Sequence, residues 1–116
     1  MDNFKIAAFI EDANFTAELV KKCSELGFEL EFPSFHEGLI TSSLIIIDLN
    51  EKSFQPFELA KSLNSDNYFI FGLVNRINKK IQEKASHVGI DLIFPKNMFC
   101  SNLSLIQEQI QDAKRV

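Results

Sequence analysis

Three carboxylates and one lysine stand where a charged crevice would need them. Asp48 closes the run Ser43-Leu44-Ile45-Ile46-Ile47-Asp48-Leu49-Asn50, Glu11 and Asp12 close the apolar run Phe4 to Ile10, and Lys96 follows the run Ile90 to Phe94. Apolar runs this short and β-branched read as strands buried on both faces of a parallel sheet. Ligands of open α/β sheets bind outside the carboxyl ends of such strands, so carboxylates there are placed for chemistry. The plainer alternative is that Asp48 caps the segment after it, because Asp is common where strands turn into loops. If the first and third strands are neighbours, Glu11, Asp12 and Asp48 converge and repel one another unless a cation compensates. Hard oxygen ligands of this kind suit Mg²⁺, which keeps several waters and takes only one or two direct carboxylates. Lys96 is the one cation this layout delivers to the same place.

The elements that must position these groups alternate between strand and helix periods along the chain. After Phe4 to Ile10, Asp12 or Asn14 caps a helix carrying Phe15, Leu19, Cys23 and Leu26 at helical spacing, and Gly27 stops it. Phe28-Glu29-Leu30-Glu31-Phe32 alternates apolar and acidic residues before Pro33, the pattern of an edge strand. His36 to Ser42 is a weak segment of one or two helical turns. Ser53 to Leu63 reads as a helix with Pro56 in its first turn and Phe57, Ala60 and Leu63 on one face. Tyr68 to Val74 is a further buried strand. Asn78 opens a helix with Ile81, Ala85 and Val88 inward and Lys79, Lys80, Glu83 and Lys84 outward, ended by Gly89. Ile90 to Phe94 forms a fifth strand, and Ser101 or Asn102 opens a last helix with Leu103, Ile106, Ile110 and Ala113 toward the core. Five strands alternating with helices predict a doubly wound parallel sheet, and the acidic, proline-ended second strand suits the edge of the order 2-1-3-4-5.

Composition narrows the function classes. The 116 residues make one domain, with no room for a separate output domain. A net charge of -4 and a pI near 5.1, with no basic run, argue against nucleic-acid binding. No stretch suits a membrane span, and Asp2, Lys5, Glu11 and Asp12 break any signal-peptide core, so the expected location is cytoplasmic. Cys23 and Cys100 lack metal-site spacing and read as structural thiols. His36 and His87 have no partner at metal or triad spacing, and Arg76 reads as a surface residue. The twelve Phe are core filler.

Taken together, these residues resemble the receiver domain of two-component response regulators over essentially the whole chain. The likeness rests on the acidic pair in Phe9-Ile10-Glu11-Asp12, on Asp48 after the third strand, and on the segment Gly89-Ile90-Asp91-Leu92-Ile93-Phe94-Pro95-Lys96. It implies a flavodoxin-like (βα)5 fold with a short or absent second helix. It further implies that Asp48 is the phosphoacceptor, that Lys96 pairs with the phosphate, and that Mg²⁺ is held by Asp12, Asp48 and the Asn50 carbonyl with Glu11 acting through water. Partners implied are a histidine kinase or phosphotransfer protein and a downstream protein, and a homodimer is compatible with the family; the role is signalling, not enzymatic.

The departures are as specific. Val74 stands where receivers place a Ser or Thr hydroxyl at the end of strand four, and Ile93 stands at the switch aromatic of strand five. Asn97 replaces the Pro that follows the lysine, while Pro95 precedes it. The resemblance therefore implies either a working acidic pocket without the standard switch or a pseudo-receiver that binds partners independently of phosphorylation. A small-molecule-binding domain of the same fold would need a Gly-rich or hydroxyl-rich phosphate loop, which the sequence lacks.

Overall fold

In the computed structural model, residues 4–33, 43–63 and 69–114 are described. The apolar runs become β1 (Lys5–Phe9), β2 (Glu29–Glu31), β3 (Leu44–Asp48), β4 (Phe69–Val74) and β5 (Leu92–Pro95). They form one parallel sheet in the order β2-β1-β3-β4-β5, as the sequence pattern predicts. Successive strand residues point to opposite faces, so one set of alternating residues builds each half of the core. Ile6, Ala8, Leu44, Ile46, Phe71 and Leu73 pack with α1 (Ala13–Leu26) and α5 (Leu103–Lys114). Ala7, Phe9, Ile45, Ile47, Ile70 and Val74 pack with α2 (Pro56–Leu63) and α3 (Lys79–His87). Strand β3 lies between these layers with Leu44 to Ile47 wholly buried, which is why its sequence is apolar at consecutive positions instead of alternating.

Helix ends explain where the strands begin. Gly27, at φ 74°, ends α1, and the Phe28 N–H donates to the Cys23 carbonyl. Gly89, at φ 89°, follows α3, and the Ile90 N–H donates to the Ala85 carbonyl. Both donors are spent in closing a helix through a left-handed glycine and are lost to the sheet. The expected strands at Phe28 to Phe32 and Ile90 to Phe94 are accordingly shorter or displaced, running Glu29–Glu31 and Leu92–Pro95. Asp91 fastens the start of β5 instead: its N–H donates to the Ile70 carbonyl, and its side chain accepts from the Ile70 N–H, both at 2.8 Å.

The last helix, α5, begins at Leu103 directly after Asn102, as expected, but it is not the first helical segment after β5. A short α4 (Lys96–Phe99) starts directly at Lys96 with Pro95 before it, and a 3₁₀ turn (Cys100–Asn102) carries it into α5. Phe99, wholly buried, and Cys100, nearly so, belong to the core shared with α1, and this packing favours the early start. The expected short segment His36 to Ser42, and with it the expectation of a short or absent helix between β2 and β3, lies outside the described residues, as do Tyr68 and the side chain of Ala113. Among the described residues, no helix is long and apolar enough to cross a membrane.

Candidate functional site

Register brings the acidic groups together. Phe9 on β1 lies opposite Ile47 on β3, so the residues that follow each strand, Glu11 with Asp12 and Asp48 itself, share one end of the sheet. On the other side, Asp48 pairs with Leu73 and Val74 pairs with Pro95, which places Lys96 just beyond the end of β5. One strand separates β5 from β3, and the lysine's four-carbon stem crosses it.

Asp48 is 2% exposed, the one buried charged residue among those described. Its Oδ1 accepts from the Asn50 N–H at 3.0 Å, and its Oδ2 accepts from Lys96 Nζ at 2.7 Å. Asp12 divides its oxygens between two tasks. Oδ1 caps α1 by accepting from the Asn14 and Phe15 N–H groups at 3.1 Å, while Oδ2 accepts from Lys96 at 3.3 Å. The lysine ammonium therefore marks a point on which two hard oxygens from different strands converge. One or two carboxylates around one cation match what Mg²⁺ accepts, so the donor set fits that ion. Glu11 does not join them: its carboxylate accepts from the Ser53 hydroxyl in the loop between β3 and α2. Among the described residues, no three Asp, Glu, His or Cys side chains are grouped as a ready metal cage. Asn50 faces the end of β4, where its Oδ1 accepts from the Asn75 N–H at 2.7 Å.

The electrostatics follow from these contacts. The Phe15 N–H foremost, together with Lys96, holds the Asp12 carboxyl below its ordinary value, against the opposing effect of burial. Burial alone would pull Lys96 down, but Asp48 and then Asp12 outweigh it and hold the ammonium above its ordinary value. The lowered Asp12 contributes stability that is present above its unfolded value near 3.8 and is lost as pH falls through the folded value. Lys96 contributes stability that is present below 10.5 and is lost as pH rises through its raised value. Chemical denaturation across pH should show a plateau between these limits. Asp12→Asn should flatten the acid limb; an unchanged limb would remove Asp12 as its source.

The remaining residues fall into place more simply. Val74 is wholly buried and half-buried Ile93 packs into the same core, so both switch positions are filled by aliphatic packing. Cys23 and Cys100 are buried free thiols, pushed up to about 11 and about 12 chiefly by burial, as suits structural cysteines. His87 and Arg76 are exposed, and His36 lies outside the described residues. Lys84 is more than a solvated face residue, since its ammonium lies 4.4 Å from the centre of the Phe57 ring and links α3 to α2. Sequence reasoning missed Ser53, Asn75 and Lys84, because each acquires its contact only when separate loops or helices meet.

No protein-family model matches the chain, and no curated relative is found. Solved structures do match. A two-component response regulator from Legionella pneumophila superposes with a TM-score of 0.80 at 15% identity, covering 95% of this chain and 99% of that one. A CheY-like receiver domain protein from Methanospirillum hungatei gives 0.80 at 13% identity and 98% coverage of both chains. The chemotaxis response regulator CheY4 of Vibrio cholerae gives 0.78 at 15% identity, with 94% and 99% covered. Likeness at such low identity speaks for architecture alone. With the strand order, the parallel register and these superpositions agreeing, the chain has the fold of the response-regulator receiver domains.

Proposed function

We propose that this chain is a receiver-like signalling domain that accepts a phosphoryl group on Asp48 from a histidine kinase or phosphotransfer protein and acts through contact with a downstream protein. The observation that carries this reading is the single ammonium of Lys96 shared by Asp48 Oδ2 and Asp12 Oδ2 at the strand ends. In the transfer, an Asp48 oxygen forms a bond to phosphorus as the bond from phosphorus to the donor imidazole nitrogen breaks. The imidazole leaves with the electron pair. Little covalent chemistry falls to the protein, so its contribution is positioning and neutralisation of charge. The Asn50 N–H orients Asp48 through Oδ1, and Lys96 moves from carboxylate to phosphoryl oxygen as charge shifts outward. Mg²⁺ would be held by Asp12, Asp48 and the Asn50 carbonyl, with Glu11 through water, and would supply further neutralisation of the phosphoryl oxygens.

Val74 offers no hydroxyl to the phosphoryl group, and Ile93 no aromatic ring to swing. A ligand shifts a conformational equilibrium only through its differential affinity for the two states, and these two residues provide none. Treatment with a small phosphodonor followed by intact-mass measurement should give slow, incomplete modification of the wild type and none of Asp48→Ala. Backbone amide shifts along Ile81 to Val88 and Leu103 to Ile110 should stay small. Modification that persists in Asp48→Ala would sink the assignment of the acceptor.

A second reading is favoured by the same two residues. A pseudo-receiver with its pocket neutralised by Lys96 would bind its partner whether or not Asp48 is modified. Wild type that resists every phosphodonor, while partner binding is equal in wild type and Asp48→Ala, would decide for it.

A further inference from the structure

We infer that Ser53 is a positioning residue that sets the divalent-cation affinity of the crevice by holding Glu11 out of it in the cation-free protein. This rests on reading the crevice as a cation site. Ser53 lies on the loop that leaves Asp48, and its hydroxyl donates to the carboxylate of Glu11 beyond the end of β1. The backbone that carries this hydroxyl is itself held, because the Glu51 carboxylate accepts from the Lys52 N–H at 3.2 Å and the Ser53 N–H at 3.3 Å. The other side of the loop is tied independently through Asn50 and Asn75. Of Glu11, Asp12 and Asp48, only Glu11 has no contact with Lys96, and its hydrogen-bond partner is Ser53.

The consequence is one of linkage. An interaction made in the cation-free state and surrendered on binding lowers affinity by its own worth, since only differential interaction shifts an equilibrium. Turning Glu11 toward a cation between Asp12 and Asp48 requires giving up the Ser53 hydroxyl. Removing that hydroxyl leaves the bound state alone and releases Glu11 beforehand. Ser53 is exposed on a loop, so its loss removes no core packing.

The test titrates Mg²⁺ against the melting temperature of the full chain and, in parallel, measures binding by calorimetry. Ser53→Ala should tighten the Mg²⁺ dissociation constant by roughly three- to tenfold, about 0.7–1.4 kcal/mol. Ser53→Thr, which keeps the hydroxyl, should remain near wild type. In a Glu11→Gln background, Ser53→Ala should change nothing further, because the group it releases has lost its charge. Affinity that is unchanged or weakened in Ser53→Ala overturns the inference, as does an equal gain in the Glu11→Gln background. If wild type binds Mg²⁺ and Ser53→Ala has no effect, only the role of Ser53 fails. If neither wild type nor variant responds to Mg²⁺, the cation site itself fails with it.

Discussion

Lys96→Met should cost about 3–5 kcal/mol of folding stability at neutral pH, read as a lower urea midpoint with an unchanged slope. The Lys96 side chain is 13% exposed and the Asp48 side chain 3%, so solvent cannot take over the role of the missing ammonium. Methionine keeps an unbranched stem over the end of β4, so the loss reports charge more than packing. What remains is a buried carboxylate at 2% exposure beside Asp12, with no counter-ion. Since native domains are stable by only about 5–15 kcal/mol, the variant would approach the limit of folding. The pair itself contributes far less than this cost, because bringing both charges out of water offsets most of their attraction. Adding Asp48→Asn to Lys96→Met should therefore recover most of the loss. A deficit below about 1 kcal/mol in Lys96→Met, or one that Asp48→Asn does not relieve, would mean that water reaches Asp48 and that its burial is not the controlling term.

Gly72→Ala should cost about 1–3 kcal/mol, the range for overpacking a filled core. A Cβ at this position would come within 2.5 Å of Leu49 Cδ1, 3.0 Å of its Cγ and 3.3 Å of Ile93 Cγ2. Leu49 is 7% exposed and sits between Asp48 and Asn50, so any movement that relieves the clash also reaches the crevice. Its N–H is held to the Leu73 carbonyl at 2.8 Å, which leaves the side chain to absorb the change. The cost should disappear when the obstacle is removed: in a Leu49→Ala background, Gly72→Ala should be nearly neutral, because the two residues share one space. Equal costs in both backgrounds would place the strain elsewhere in β4. Glycine at this point lets the loop after Asp48 fold back over the sheet, a close approach that a side chain would block.

The comparison of Asp12 with Glu11 shows where reading a sequence reaches its limit. Both follow β1 and both carry the same charge. Asp12 is placed by local rules, since a carboxylate two and three residues before free helix N–H groups will cap them, and capping turns its second oxygen toward the crevice. Glu11 has no such local anchor. Its longer side chain goes to whichever donor is near, and that donor, Ser53, lies 42 positions away. Asn50 behaves likewise: its backbone N–H is committed locally to Asp48, while its side chain meets Asn75 across the sheet end. Lys96 was legible because only one lysine follows directly on the last strand, although its early helix start was not.

The sequence alone determined the strand periods, the cap at Asn78, the glycine stops and the convergence of Asp12, Asp48 and Lys96, and it narrowed the first cap to Asp12 or Asn14. Each follows from side-chain periodicity, backbone chemistry or the handedness of parallel crossovers, which act over a few residues or over the whole sheet. Tertiary structure alone decided that Ser53 claims Glu11, that Leu49 occupies the space above Gly72, and that Lys84 rests on Phe57. These contacts join segments whose separation in the chain carries no information about distance in space. Their partners are set by how loops and helices pack once the sheet has formed, and no periodicity in the sequence encodes that packing.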